Sequence, residues 1–367
     1  MNYRILILTN SLSGLHSFRR ELVERLCAEG FEVYISANDD PISEFFISLG
    51  CTCIKSEINR HGINPVTDAK LLLHYCRLLR KIKPHAVLSY TIKPNLYGGI
   101  ACRLNGVPQL ANITGLGSAF ETPGLLQAFI VRLYRFALKR AECVFLQNKD
   151  NQDFCNSRRM IPARQRLLPG SGVNLERFLP LPYPGDDKTA FIFIGRIMRQ
   201  KGIAEYLEAA KYIHEKYPQT EFHVLGRFEE DYSNQIDDMS KKGIVIYHSP
   251  VTEISPYLEN IHCTVHPSFY PEGMSNVLLE SCASARAIIT TDKSGCREVV
   301  DDGVNGYIVQ QQSLEDLIEK IERFVNLPYE QKRAMGVAGR AKVEQHFDRK
   351  VVVNAYLDEI HTILNNK

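Results

Sequence analysis

The sequence predicts an α/β protein built from two Rossmann-like units in tandem. Short apolar runs alternate with amphipathic helical stretches in two separate series, and each series opens with a strand–loop–helix–strand pattern at close spacing. Between the series lies a proline-rich stretch, Leu179 to Asp187, which fits neither a helix nor a central strand. The 367 residues, 44% of them hydrophobic, suffice for two cores.

In the first series Arg4–Leu8 reads as a buried parallel strand, because its apolar residues run without alternation. Thr9 to Gly14 reads as a polar turn, Phe18 to Glu29 as a helix closed by Gly30, and Phe31 to Ile35 as the next strand. No Gly-x-Gly-x-x-Gly follows the first strand, so the turn is not read as a dinucleotide site. The segment Asn10 to His16, with Ser13 and Gly14, is either a substrate-facing loop or a plain connection. A helix is expected over Leu71 to Ile82 and a strand over Ala86 to Tyr90. The stretch Gln109 to Phe120 is a strand opening into a glycine-rich loop where backbone can approach a ligand. Ala141 to Gln147 supplies another strand.

The second series places strands at Ala190–Ile194, Glu221–Leu225, Ile244–Tyr247, Cys263–Val265, Ala287–Thr291 and Gly306–Val309. Helices are expected over Ile203–Tyr217, Glu253–Asn260, Leu314–Val325, Tyr329–Phe347 and Val351–Leu364. The domains are therefore drawn as 1–179 and 180–349, with 350–367 as a final helix.

Composition excludes several classes. A net charge of +2 does not fit a general nucleic-acid binder. Ten cysteines without a Cys-x-x-Cys pair, and no signal peptide, fit a reducing cytoplasm. Neither a Cys/His cluster nor a strand-end Asp-x-Asp offers metal ligands, so no metal or other cofactor is expected. No apolar run is long enough to span a bilayer. Two stretches are rich in base: Arg60 to Arg103, and Arg132 to Arg140 on an apolar helix. They read either as contacts with an anionic bilayer or as ordinary solvated faces.

The chemistry concentrates at residues 266 to 280. Pro267 and Pro271 turn the chain out of a strand, and a helix starts near Ser275 or Asn276. Backbone N–H groups from Gly273 through Met274 and Ser275 to Asn276 would face an anion at that helix start. Glu272 and Glu280 bracket the turn as acceptors for sugar hydroxyls. Earlier in the unit, Arg196 and Lys201 follow a strand, where two cations could neutralise a diphosphate.

Gly195-Arg196 with Lys201-Gly202, followed by Glu272 and Glu280 eight residues apart, resembles the retaining glycosyltransferases of family 4 with the GT-B fold. Ile92-Lys93-Pro94-Asn95 and Thr114-Gly115-Leu116-Gly117-Ser118 resemble a narrower subset. That subset adds N-acetylhexosamines or hexoses to undecaprenyl-diphosphate-linked sugars, N-acetylgalactosaminyl transfer to bacillosamine-type acceptors among them. Many members have His at the position of Thr114, so no histidine role carries over there.

The resemblance implies two Rossmann-like domains facing a cleft, with the last helix returning to the first. It implies a UDP-sugar as co-substrate, a lipid-linked saccharide as acceptor, and a peripheral place on the inner face of the cytoplasmic membrane. Glu272 would hold donor-sugar hydroxyls and Glu280 the ribose, with Gly226, Arg227 and Val251 near the base. Ser13, Gly14, Lys93, Asn95, Thr114 and Gly115 would face the acceptor. Two other classes stay open. A nucleotide-sugar epimerase would enlist His61, His85 or His266 as acid and base. A non-catalytic nucleotide-sugar-binding subunit would keep the cations without turnover.

Overall fold

The computed structural model describes residues 3–58, 64–117, 120, 124–162, 164–251 and 253–366. Arg60, His61, Ser118 and Ala119 lie outside the described residues. The chain divides into two units, Met1–Ser171 with Lys350–Lys367, and Gly172–Arg349.

The first unit holds a parallel sheet of β1 (Arg4–Leu8), β2 (Glu32–Ala37), β3 (Thr52–Lys55), β4 (Ala86–Tyr90), β5 (Gln109–Ile113), β6 (Cys143–Leu146) and β7 (Gln165–Leu167). Their order is β3-β2-β1-β4-β5-β6-β7. The continuous apolar runs follow from burial on both faces. Ile5 and Ile7 of β1 enter one core with the helix Leu12–Ala28, whereas Leu6 and Leu8 enter another with the helix Pro65–Ile82. The helix Arg349–Asn365 completes the first of these cores through Val352, Ala355, Tyr356 and Ile360. The Tyr356 hydroxyl also meets the amide of Asn112, which is fully buried at the end of β5.

The second unit repeats the plan with β8 (Thr189–Ile194), β9 (Thr220–Leu225), β10 (Ile246–His248), β11 (Cys263–His266), β12 (Ala287–Thr291) and β13 (Gly306–Val309). The order is β10-β9-β8-β11-β12-β13, so each sheet follows the Rossmann 3-2-1-4-5-6 order. In such sheets the order reverses beside the first strand, and the crevice beyond the strands' carboxyl ends at that point is where ligands bind. These switch points fall between β1 and β4 and between β8 and β11. The proline-rich stretch is held to the second unit by Arg286, which is fully buried and donates to the carbonyls of Leu181, Pro182, Leu258 and Glu259.

Several sequence expectations need correction. The first helix starts at Leu12, not Phe18, because Ser11 caps it by accepting the N–H of Gly14. Ser13 and Gly14 are therefore inside its first turn rather than in a loop. The helix expected from Leu71 starts at Pro65, where Asn64 accepts the N–H groups of Val66 and Thr67 and proline fits the first helical position. The helix drawn through Arg132 to Arg140 is Leu125–Ala137, so Lys139 and Arg140 lie beyond it. β10 is shifted to Ile246–His248, and the helix drawn over Glu253–Asn260 shrinks to Ser255–Leu258. The edge strands β3 and β7 were not foreseen: they are short and half-exposed, and so carry no apolar run.

Candidate active site

Four chain segments meet at the switch point of the second sheet. The first leaves β8 at Gly195. Here two backbones touch: a Cβ on Gly226, beyond β9, would lie 1.7 Å from the Gly195 carbonyl oxygen, so no side chain fits there. The Ile197 N–H then donates to the Arg227 carbonyl (2.8 Å). A short 3₁₀ turn, Arg199–Lys201, carries the chain to Gly202 at φ 77°, where a Cβ would stand 2.2 Å from the Pro267 carbonyl oxygen. That close approach seats Lys201 under the second segment, residues 267–272. The Phe269 N–H, donating to the Gln200 carbonyl at 3.0 Å, locks the two together.

Lys201 is buried and its ammonium forms an ion pair with Glu272 Oε1. Two further groups converge on the same oxygen: Ser268 Oγ donates to it at 3.4 Å, and His266 Nε2, at the end of β11, lies 3.5 Å away. Burial pushes the Glu272 carboxyl up, but Lys201 and His266 outweigh it and hold the group down at about 2. Burial holds the His266 imidazole below its ordinary value, and Glu272 offsets only part of this. Glu272 is thus a fixed anion with a neutral histidine behind it. The Tyr270 ring stands beside both cations, 4.9 Å from the Arg196 guanidinium and 5.2 Å from Lys201 Nζ. Among the described residues no carboxylate pairs with Arg196, so its charge is available to an anion in a way that Lys201's is not.

The third segment is the start of the helix Asn276–Ala283. The expected row of unused donors is shorter than drawn, because the Ser275 N–H donates to the Gly295 carbonyl at 2.7 Å. Met274 is buried in the core beneath. Ser275 and Asn276 were both candidate caps; Ser275 takes the position without a side-chain capping bond. The buried Ser275 Oγ and Asn276 Oδ1 find no hydrogen-bond partner among the described residues, as expected of groups awaiting a polar ligand. Glu280 lies one turn on, half-buried. Burial raises its carboxyl to about 7 against the opposing pull of Arg349 and Arg177.

The fourth segment, residues 290–298, went unnoticed in the sequence. Thr290 Oγ1 donates to the His266 carbonyl (2.7 Å) and Thr291 Oγ1 to the Ser268 carbonyl (2.5 Å). Gly295, at φ 90°, lies against the Gly273 backbone, and Glu298 accepts its N–H at 2.7 Å. A pair of threonines ending a strand before Ser294-Gly295 was the available signal. Arg177 and Arg349, which oppose the effect of burial on Glu280, carried none. Of the outlying donor candidates, Arg227 is exposed and pairs with Glu229 at 3.5 Å, and Val251 is exposed beyond β10.

The first unit treats its candidates differently. Asn95 is buried; it accepts from Ser89 Oγ (2.7 Å) and donates to the Asn112 carbonyl (2.8 Å), so it ties β4 to β5 rather than facing a ligand. Lys93 Nζ pairs with Asp68 at 2.7 Å, with both side chains largely buried. Thr114 and Gly115 are half-buried at the end of β5. His85 accepts the Arg4 N–H through Nδ1, a sheet-end bond. Among the described residues no group of three or more His, Cys, Asp or Glu could hold a metal ion.

Residues 183–342 match the family profile of glycosyl transferases group 1, and residues 4–148 match that of the glycosyl transferase 4-like family. The two spans fall on the two units and include the Gly195–Gly202 and Glu272–Glu280 motifs. The chain is a GT-B glycosyltransferase. The enzyme is 24% identical over 99% of its length, and 100% of the relative's, to the N,N'-diacetylbacillosaminyl-diphospho-undecaprenol alpha-1,3-N-acetylgalactosaminyltransferase of Campylobacter jejuni. It is 27% identical over 85% of its length, and 84% of the relative's, to an Escherichia coli UDP-Gal:alpha-D-GlcNAc-diphosphoundecaprenol alpha-1,3-galactosyltransferase. Among solved structures, a Rickettsia africae glycosyltransferase superposes with a TM-score of 0.82 at 16% identity, covering 100% of both chains. Anabaena HepE in complex with UDP and glucose gives 0.79 at 15% identity, covering 98% of this chain and 100% of that one. At these identities the two structures speak for the fold of the glycosyltransferase alone.

Proposed function

We propose that the enzyme moves a hexose or N-acetylhexosamine, with retention, from a UDP-sugar to a lipid-diphosphate-linked saccharide during surface-polysaccharide assembly. The observation that carries the donor half is a fixed carboxylate, Glu272, paired with Lys201 at the switch point, with the uncompensated Arg196 beside the same Tyr270 ring. Arg196 takes the diphosphate through a bidentate fork, Lys201 adds a second positive charge, and Glu272 accepts hydrogen bonds from the donor sugar. Ser275 and Asn276 complete the polar wall, and Glu280 accepts from the ribose. The acceptor half rests on the two relatives named for diphospho-undecaprenol saccharides.

In this reaction the bond between the anomeric carbon and the leaving phosphate oxygen breaks while an acceptor oxygen bonds the same face of that carbon. The acceptor proton passes to the departing phosphate. Charge grows on that phosphate in the transition state, so preorganised cations favour the transition state over the ground state. Glu272, held ionised beside the sugar, offsets the positive charge developing there. An acceptor whose lipid stays in the bilayer brings the enzyme to the inner face of the cytoplasmic membrane; no helix among the described residues is long and apolar enough to cross it.

Incubation with a panel of labelled UDP-sugars, with and without a polyprenyl-diphosphate-linked saccharide, tests this reading. Label appearing in the lipid-linked product supports it. Epimerised donor, or bound donor without product, replaces it with one of the other two classes.

A further inference from the structure

The helix Leu125–Ala137 buries Gln127, Ile130, Val131, Tyr134 and Ala137 and turns the opposite side outward. That outward side is not polar. Leu125 is 92% exposed, Phe129 54% and Phe136 50%, at positions i, i+4 and i+11 of one stripe; Leu126, 51% exposed, flanks it. Only Arg132, at i+7, interrupts the stripe. A solvated helix face would carry charged or amide side chains here, and a row of large apolar ones marks a contact surface.

Cations edge this row. Lys139 and Arg140 follow the helix in exposed positions. The Arg103 guanidinium lies 4.4 Å from the Phe136 ring centroid and donates to the Phe136 carbonyl. Arg135 is not part of the edge, since its guanidinium donates to the carbonyls of Arg158 and Arg159. An apolar stripe with a cationic margin complements the boundary between acyl chains and anionic headgroups, with Arg132 reaching back to the phosphates. A second copy of the chain fits less well. Thirteen helical residues span about 20 Å, and one stripe of that length offers roughly 200 Å², against about 800 Å² per partner in a stable interface.

We infer that this helix is a membrane-inserting face, in which Leu125, Phe129 and Phe136 enter the acyl region of an anionic bilayer while Arg103, Arg132, Lys139 and Arg140 hold the headgroups. The inference rests on the lipid-linked acceptor proposed above and deepens it: docking has an apolar component that salt does not screen, beside an electrostatic one that salt does.

The chain contains no tryptophan, so one introduced at Leu125 is a sole reporter. With vesicles of phosphatidylcholine containing phosphatidylglycerol, emission of Leu125→Trp shifts to the blue and is quenched by bromine on the acyl chains. In co-sedimentation, raising the salt leaves a residual bound fraction. Phe129→Asn with Phe136→Asn lowers that residue on the order of tenfold, whereas Arg132→Gln, Lys139→Gln and Arg140→Gln together remove the salt-sensitive part. Both sets keep the parent rate on a water-soluble acceptor analogue, which shows that they fold. Absence of quenching, or complete release by salt, overturns the insertion. So does sedimentation equilibrium showing a dimer that Phe129→Asn dissociates. A parent enzyme that inserts yet transfers nothing to a lipid-linked saccharide would instead sink the acceptor assignment and leave the inserting face standing.

Discussion

The switch points of the two sheets occupy equivalent places and are filled in opposite ways. In the second unit the crevice holds polar and charged groups with one shared focus, Glu272 Oε1, and glycines let the surrounding backbones close on it. In the first unit the polar residues beyond β4 are consumed by the fold: Asn95 by Ser89 and Asn112, Lys93 by Asp68. The same topology can therefore present a rigid charged site or a braced, nearly neutral wall. A nucleoside diphosphate offers a constant set of charges to match, and a saccharide acceptor does not.

The sharpest way to break this contrast is at Lys201. Lys201→Met should lower kcat/KM by a factor corresponding to about 2–4 kcal/mol, and it should also destabilise the fold by about 3–5 kcal/mol because the charged Glu272 loses its ammonium partner. Adding Glu272→Gln should restore most of the stability, read as the urea midpoint, but none of the activity. A double variant that regains turnover would make the ion pair a structural device. In the first unit, Asn95→Ala should cost about 1–3 kcal/mol of stability through the unmet partners it leaves, with the acceptor KM unchanged in the folded fraction. A raised acceptor KM at full stability would return Asn95 to the acceptor site.

A gentler test uses pH. The Glu280 carboxyl titrates near 7 in the fold against an ordinary value of 4.5. The native state thus binds more protons than the unfolded one between those values, and stability should fall as pH rises through that window and level off above it. Glu280→Gln should abolish this fall in urea midpoints. If the ionised form accepts from the ribose, donor affinity measured by calorimetry should tighten as pH rises past about 7, and the Gln variant should lose that dependence. The smallest expected effect is none: EDTA should leave turnover intact if, as proposed, Arg196 and Lys201 stabilise the leaving group. Loss of turnover on EDTA, restored by Mn²⁺ or Mg²⁺, would show that Arg196 and Lys201 do not suffice.

The buried strands of both units were legible because a parallel sheet covered on both faces demands unbroken apolar runs, whereas the half-exposed edge strands β3 and β7 carry none. The site was legible where function coincides with a strand end, as at Gly195–Gly202 and at His266–Glu280. It was not legible where a residue acts through backbone: Thr290, Thr291 and Gly295 position the site by carbonyl and amide contacts that any strand-end loop could contain. Ser13 and Gly14 misled because Ser11 caps the helix locally, overriding the glycine that read as a turn. The pairing of Lys201 with Glu272 could not be read at all, being a contact across 71 positions of sequence.

The position of residues 350–367 bears on how the chain matures. The core of the first unit contains Leu15, Ile7 and Leu88, but also Tyr356, Ile360 and Ile363. On a ribosome, everything between Ser171 and Lys350 must be made before those last residues arrive. At about 5–20 residues per second, the nascent first unit waits for roughly 9–36 s with one flank of its sheet bare. Nothing delays the second unit in the same way, because all of its residues emerge consecutively. Synthesis from the amino terminus would thus be followed by completion in the reverse order, with the later unit closing first and the earlier one last.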